Sequence, residues 1–209
     1  MIADPAADSL SLLDWRRCIG ELYAEIRATS DKHAAWQRWR EARARLFREH
    51  PQSPVPASQR HVYSGPHVYD YDPASCVAAS VEPVESRRLG LPTSNVDVMA
   101  FSRFGLARFV VAGVELKLEL YWLEGYGGGL FVPFADATSG GETYGAGRYL
   151  LDTVKGADLG QRDSLLLLDF NFAYQPSCSY DPRWTCPLTP PANRLEVPVQ
   201  AGERLGPSH

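Results

Sequence analysis

The sequence predicts a mainly β, α+β protein: an antiparallel meander that forms a barrel-like or sandwich domain, with a pair of N-terminal helices packed on it. Two observations support this. Apolar residues recur at helical spacing through the first fifty positions, and beyond a proline-rich segment they alternate with polar residues at the period of two that is typical of strands. The chain has 209 residues, 44% of them hydrophobic, which is enough to bury one sizeable core.

The first fifty residues predict an antiparallel pair of helices. Ser9 or Ser11 is expected to cap the first helix, which should end near Ser30, and Ser30 or Asp31 is expected to cap the second. The second helix must stop before Pro51, which has no backbone N–H. Each helix carries one apolar stripe. The first stripe comprises Leu12, Trp15, Ile19, Leu22 and Ile26, and the second comprises Trp36, Trp39, Ala42, Arg43 and Phe47.

Composition divides the chain into two segments. Residues 1–56 contain the helical pair and a linker with three prolines, and residues 57–209 contain the β domain. The helices need a surface on which to bury their apolar stripes. We therefore expect the two segments to form one cooperative unit.

Eight or nine strands separated by turn signals are predicted after the linker. Residues 114–122 are the clearest case, because apolar side chains occupy the even positions and charged ones occupy positions 115, 117 and 119. Ala112 and Gly113 suit a hairpin turn between this strand and residues 109–111. A sheet of this size usually closes into a barrel or folds into a sandwich. The other predicted strands are residues 76–82, 96–101, 130–134, 148–154, 164–172 and 195–199.

Charge and hydropathy exclude several classes of protein. A formal net charge of -4 gives no global basic surface, so we expect neither a nucleic-acid partner nor an anionic membrane partner. The N-terminus has acidic residues where an export signal would be basic, and no apolar run is long enough to span a bilayer. These observations favour a cytoplasmic protein. Its four cysteines, Cys18, Cys76, Cys178 and Cys186, are then expected to be thiols.

The loop 134–147 is the segment richest in candidate functional groups, and it is long for a hairpin connection. Its glycines allow the backbone to approach a ligand closely. Arg148 follows the loop. Paired with Asp136 or Glu142, this arginine either fixes the loop or binds a ligand carboxylate or phosphate, and both interpretations fit the pattern. The polar side chains of the loop are Asp136, Thr138, Ser139, Glu142, Thr143 and Tyr144.

A second polar cluster begins at Asp169. Strand alternation would place Asp169 and Asn171 on one face and the aromatic residues through Tyr174 on the other. A buried carboxylate must be paired, or its pKa rises towards the range useful for acid–base chemistry. Arg148 is the expected partner, and a structural ion pair is then favoured over a catalytic one.

The motifs of the chain support no cofactor or metal. Cys178 and Cys186 are eight residues apart with no histidine near them, which argues against zinc and favours buried thiols or a disulfide formed on oxidation. The glycines form neither a P-loop nor a dinucleotide-binding fingerprint. Asp136, Glu142 and Asp169 could hold a metal ion but lack diagnostic spacing.

A long composite pattern covers nearly the whole chain. It comprises Trp39-Arg40, Ser53-Pro54, Arg60, Pro133-Phe134, residues 136–140, 142–145 and 147–149, Asp169-Phe-Asn171, Ala173-Tyr174, Pro176, Cys178, Cys186-Pro187, Asn193 and Ala201-Gly-Glu203. In these residues the chain closely resembles the bacterial and archaeal family called domain of unknown function 1684. The resemblance implies no reaction. It does imply that the loop and the Asp-Phe-Asn segment belong to one recurring arrangement.

Two functional hypotheses follow. In the first, the β domain binds a small polar or anionic organic molecule and acts as a binding protein or as a cofactor-independent hydrolase, lyase or cyclase. Glu142 or Asp169 would then be the acid–base group, and Arg148 would stabilise negative charge. Mutation of Arg148 to Lys should abolish binding at nearly unchanged melting temperature. The expected ligand contacts are Asp136, Thr138, Ser139, Tyr144, Asn171, Tyr174 and Cys178.

In the second hypothesis the protein is a non-enzymatic interaction module that presents the helices to a partner. Trp36 and Trp39 distinguish the two hypotheses. If both side chains are buried against the sheet, the helices are structural; if an apolar face stays exposed, a partner is expected.

Overall fold

The structure, a computed structural model, describes residues 4–111 and 113–206. The helices are α1 (Pro5–Ala28) and α2 (Lys32–Glu49). The strands are β1 (His67–Val68), β2 (Cys76–Pro92), β3 (Val98–Val111), β4 (Val114–Leu123), β5 (Gly129–Phe134), β6 (Arg148–Asp152), β7 (Gln161–Arg162), β8 (Leu165–Asp169) and β9 (Glu203–Arg204).

The helix ends are set by aspartates. Asp31 caps α2 by accepting a hydrogen bond from the Ala34 N–H. Of the two predicted caps, Ser30 and Asp31, the second is therefore confirmed. Helix α1 begins earlier than predicted, because Asp4 caps it. The predicted caps at Ser9 and Ser11 are wrong: both residues lie inside α1, and their hydroxyls donate to carbonyls one turn earlier.

Seven strands form one antiparallel sheet in the order β6-β5-β4-β3-β2-β8-β7, and β1 pairs with β9 in a separate ribbon. The mainly β, α+β arrangement with a packed helical pair is therefore confirmed. The barrel-like closure is wrong. Strands β6 and β7 are the two ends of the sheet in the described residues, and β7 has only two residues with which to form a ladder.

The central strands are longer than predicted. Strand β2 has 17 residues, whereas its predicted end was Glu82. Strand β3 has 14 residues, whereas the sequence predicted two separate strands there, 96–101 and 109–111. The turn signals are instead accommodated as irregularities, with register shifts between Pro83 and Arg87 and between Arg103 and Gly105. The β3–β4 hairpin is confirmed by the pairing of Val111 with Val114. Ala112 lies outside the described residues.

Three other predicted strands end early or do not form. Strand β8 stops at Asp169, whose side chain accepts the Asn171 N–H and starts a 3-10 turn over Phe170–Phe172. The predicted alternation of faces is therefore wrong, since all three residues of the turn are buried. Residues 195–199 contain Pro198 and form no strand, and residues 153–155 form a 3-10 turn after β6.

The helices pack on the sheet through a large apolar core. Trp36 and Trp39 are both buried, and the ring of Trp39 packs edge-on against Phe172 at 5.6 Å. Helix α2 is therefore held in the core through its tryptophans, whereas Leu10, Leu12 and Leu13 of α1 remain exposed. Neither helix in the described part of the chain is long and apolar enough to cross a membrane.

Candidate functional site

Arg148 lies buried at the start of β6 and is fully engaged by the protein. One terminal nitrogen donates to Asp136 Oδ2 at 2.7 Å and to the Val199 carbonyl at 2.8 Å. The other donates to the Glu203 carbonyl at 3.1 Å and to the Ala201 carbonyl. Of the two interpretations given above, the structure therefore contains the ion pair that fixes the loop. The predicted pairing of Arg148 with Asp169 is wrong.

The side chains of the loop 134–147 bind mainly to one another. Asp136 Oδ1 accepts both the backbone N–H and the hydroxyl of Thr138, and that hydroxyl lies 2.9 Å from the hydroxyl of Thr143. Ser139 Oγ accepts the N–H of Asp136. These bonds fold the loop on itself, because each buried polar group finds its partner within a few residues.

Glu142 lies on the surface of the loop. Its Oε2 accepts the hydroxyl of Tyr69 at 3.0 Å and the side-chain amide of Gln200 at 3.3 Å. Burial together with the bond to Glu142 raises the pKa of Tyr69 to about 12. Glu142 thus joins the loop to β1 and to the C-terminal segment at an exposed position.

Asp169 and Asn171 clamp the end of β8 to the segment that precedes β2. Asn171 Nδ2 donates to the Asp72 carbonyl and to Asp169 Oδ1, both at 2.8 Å, and Asn171 Oδ1 accepts the Asp72 N–H at 2.9 Å. Burial raises the pKa of Asp169, although hydrogen bonds from Asn171 and Cys76 oppose the shift. The side-chain amide of Asn171 thus donates to the backbone carbonyl of Asp72 and accepts its backbone N–H, as expected of a structural clamp.

Other members of the composite pattern also hold irregular segments in place. Asn193 donates to the carbonyls of Glu119 and Pro133 and accepts the Glu119 N–H, which fixes the C-terminal segment to β4 and β5. Glu203 accepts the Gln175 N–H at 2.8 Å. The pattern therefore includes many buried polar anchors.

A different group of residues lines a small cavity between the helices and the segment after β8. Its volume is about 40 Å³. Tyr23 is 1% exposed, and its hydroxyl proton has no acceptor among the described residues, since the nearby Trp39 indole can only donate. Gln175 donates through Nε2 to the Arg204 carbonyl, which fixes the orientation of the amide, and its Oε1 is buried without a partner in the same part of the chain.

Arg43 is the charged group of this cavity. Its Nε donates to Glu203 Oε1 at 2.6 Å, and its guanidinium lies over the rings of Trp39, Phe47 and Tyr174. Burial alone would lower the pKa of Arg43, but Glu203 outweighs burial and the pKa is raised. The terminal nitrogens make no hydrogen bond to residues 4–111 or 113–206. Sequence analysis placed Arg43 on an apolar helix stripe without assigning it a role, and that charge on a buried stripe was the available signal.

A cleft of about 160 Å³ adjoins the cavity, with Trp15, Lys155 and Ser177 in the walls of both. Lys155 is half-exposed, and its Nζ lies 3.6 Å from Asp152 Oδ2. Cys186 lies in the far wall of the cleft. The cleft therefore connects the buried cavity to a cationic side chain and to a thiol.

Cys178 and Tyr144, both predicted ligand contacts, meet beside this cleft. The Tyr144 hydroxyl lies 3.8 Å from Cys178 Sγ, and the Cys178 N–H donates to Cys186 Sγ at 3.4 Å. Both cysteines are free thiols. A hydrogen bond from Cys186 lowers the pKa of Cys178, against the opposing effect of burial, and the same contact raises the pKa of Cys186.

A larger concavity, about 830 Å³, lies elsewhere, on the face of the sheet near the β3–β4 hairpin. Its charged residues include Arg108 and Lys117, which are exposed, and Arg108 already pairs with Glu82. This surface offers volume without buried polar groups, so the smaller cavity is chemically better defined. In the described residues, no three His, Cys, Asp or Glu side chains are grouped as metal ligands.

Comparison with known proteins identifies the family. The family model described as "Protein of unknown function (DUF1684)" matches residues 61–204. A solution NMR structure of an uncharacterised protein from Haloarcula marismortui is similar, with 34% sequence identity and a TM-score of 0.62, and the similarity covers 88% of this chain and 100% of that one. No curated protein matches the chain. The chain therefore belongs to the DUF1684 family.

Proposed function

We propose that this protein binds a small organic acid whose polar groups enter the cavity lined by Tyr23, Arg43 and Gln175 and whose remainder occupies the adjoining cleft of about 160 Å³. The observation that supports this most strongly is that the Tyr23 hydroxyl and Gln175 Oε1, both buried without a partner among the described residues, line one cavity with Arg43. The terminal nitrogens of Arg43 make no hydrogen bond within the same part of the chain. Buried polar groups almost always have a partner, so a cluster of incomplete ones favours a ligand that completes them.

The donors and acceptors define the class of ligand. Tyr23 and the terminal nitrogens of Arg43 donate, and Lys155 supplies a further donor in the shared wall with the cleft. Gln175 Oε1 accepts. A carboxylate satisfies the donors, and a hydroxyl or amino group next to it satisfies the acceptor. Small 2-hydroxy and 2-amino acids carry both the carboxylate and the neighbouring hydroxyl or amino group, whereas simple carboxylates lack the hydroxyl or amino group.

This proposal places the ligand away from Arg148, whose four terminal N–H groups are already used. It concerns binding. Acid–base catalysis by Glu142 or Asp169 remains a prediction, and incubation of the same acids with the protein, followed by product analysis, addresses it.

The experiment is a thermal-shift and calorimetric comparison of glycolate, lactate, malate and glycine with acetate and propionate. We expect one or more of the first group to raise the melting temperature of the wild type, and the simple carboxylates to act more weakly. The variant Tyr23→Phe should lose this effect while keeping the wild-type melting temperature without ligand, because the hydroxyl it lacks makes no bond to an acceptor.

The matched control is Tyr121→Phe. The Tyr121 hydroxyl donates to Glu119 Oε2, away from the cavity. Its removal should lower the free energy of unfolding by about 1 kcal/mol and leave the ligand response intact. If no acid stabilises the wild type, or if Tyr23→Phe responds as the wild type does, the proposal is wrong.

A further inference from the structure

The paired thiols beside the cleft form a second chemical centre, distinct from the buried polar groups of the proposed ligand cavity. Cys178 and Cys186 lie at the two ends of a short segment whose ends are held in place. At one end, residues Ser177–Ser179 form a 3-10 turn. At the other, the Tyr149 hydroxyl donates to the Pro187 carbonyl, and Pro187 bridges to Thr93.

This anchoring keeps the two cysteines together. The Cys178 N–H contacts Cys186 Sγ at 3.4 Å, so the second sulfur lies directly against the residue that carries the first. The N–H of Cys186 donates to Ser94 Oγ at 3.0 Å, which positions the second cysteine from its other side. A disulfide between them would therefore need little backbone movement.

Cys178 is the more accessible member of the pair. It is half-buried, whereas Cys186 is 2% exposed and lies in the wall of the 160 Å³ cleft that Lys155 shares. Hydrogen bonds from Cys186, Ser94 and Tyr144 favour the Cys178 thiolate, which is the nucleophilic form.

We propose that Cys178 and Cys186 form a redox-active dithiol that exchanges with low-molecular-weight disulfides. The Cys178 thiolate attacks one sulfur of the small disulfide, forms a mixed disulfide and releases one small thiolate. Cys186 then loses its proton and attacks Cys178 Sγ, which closes the protein disulfide and releases the second small thiolate. The protein loses two electrons and two protons, and the small disulfide is reduced to two thiols.

The other two cysteines lack this arrangement. Burial and the neighbouring Asp169 raise the pKa of Cys76 to about 12, and burial together with Asp14 raises the pKa of Cys18. Both are therefore poor nucleophiles at neutral pH. They serve as internal controls in the same molecule.

The test is incubation of the reduced, full-length protein with oxidised glutathione, followed by intact-mass and peptide mass spectrometry. We expect the wild type to lose two hydrogens and to contain a Cys178–Cys186 disulfide. Cys186→Ser should instead accumulate a glutathione adduct on Cys178, because no resolving thiol remains. Cys178→Ser should form neither product, and Cys76→Ser should behave as the wild type does.

The pH dependence provides a second measurement. The rate at which the wild type reacts with oxidised glutathione should rise to its plateau at a pH below the ordinary cysteine pKa of about 8.5, because the wild type keeps the hydrogen bond from Cys186 that favours the Cys178 thiolate. The proposal is overturned if the adduct forms first on Cys18 or Cys76, or if the wild type keeps a stable adduct without closing the disulfide. It is also overturned if the folded wild type does not react. Melting temperatures of the variants verify that each is folded.

Discussion

Arg148 and Asp136 show what buried charges do in this protein at the scale of single residues. Their side chains are 1% and 0% exposed, and all their terminal polar atoms bind within the chain. The sequence offered Asp136 as one of two partners for Arg148, but it did not predict the three carbonyls that complete the contacts of the guanidinium. Partner choice depends on which distant carbonyls approach the guanidinium, and no local pattern encodes that.

Arg148→Lys tests this structural role. We expect it to lower the free energy of unfolding by about 3 kcal/mol or more, because an ammonium cannot reach all the acceptors held by the guanidinium and the buried charge is left incompletely paired. Urea unfolding measures the change. This result is opposite to the unchanged melting temperature expected if Arg148 served only a ligand.

The matched control is Arg108→Lys in β3. Arg108 pairs with Glu82 at 2.6 Å, but both side chains are about half exposed. The same substitution there should change the free energy of unfolding by less than about 1 kcal/mol. Equal effects at the two positions would contradict the structural role of Arg148.

At the scale of elements, periodicity predicted the helices and the β3–β4 hairpin because their signals are local. It failed where tertiary pairing overrides a local signal. Two predicted strands ended at residues 82 and 101, yet β2 and β3 continue past these positions, with register shifts between Pro83 and Arg87 and between Arg103 and Gly105. Asp169 read as a strand residue, yet its carboxylate caps a 3-10 turn. An aspartate that follows four leucines is compatible both with a continuing strand and with the cap of a turn, so the local sequence does not decide between them.

The end of β8 should make stability depend on pH. Burial raises the folded-state pKa of Asp169 above its unfolded value of about 4. A raised pKa means that protonation stabilises the folded protein, and this contribution is full below the unfolded pKa and is lost as pH rises through the folded pKa. Asp169→Asn removes the titration. The free energy of unfolding of the wild type, minus that of the variant, should therefore decrease as pH rises through this window.

Urea unfolding of both proteins at a series of pH values from about 4 to 7 measures the difference. Subtracting the two curves cancels the titrations of the other carboxylates. A difference that is flat, or that increases with pH, would show that Asp169 is not held in an unfavourable charged state.

At the scale of the whole molecule, three separate parts of the chain meet through buried polar contacts. Arg43 of α2 pairs with Glu203 of β9, and Arg148 of β6 binds the carbonyls of the same C-terminal segment. The candidate cavity is also assembled from distant segments, with Tyr23 from α1 and Gln175 from the segment after β8. The cavity could not be predicted from the sequence because, apart from Arg43 on a buried helix face, the residues that line it have ordinary local contexts.

These long-range contacts predict a single cooperative unfolding transition. Far-ultraviolet circular dichroism follows the helices, and near-ultraviolet signals follow the packed aromatic side chains of both cores, including Phe101, Tyr121 and Tyr149 of the second. The two signals should have the same urea midpoint. Loss of the helical signal at lower urea would show that residues 1–56 unfold separately.

The contacts of Arg148 also affect the order of events during synthesis. Three of its four acceptors are carbonyls of residues 199, 201 and 203, which leave the ribosome more than fifty residues after the arginine. Until those residues emerge, the guanidinium cannot be buried without leaving most of its donors unsatisfied. The nascent chain must therefore postpone closing this part of its core, and a fragment interrupted before residue 199 would retain an incompletely paired cation for quality-control proteases to encounter.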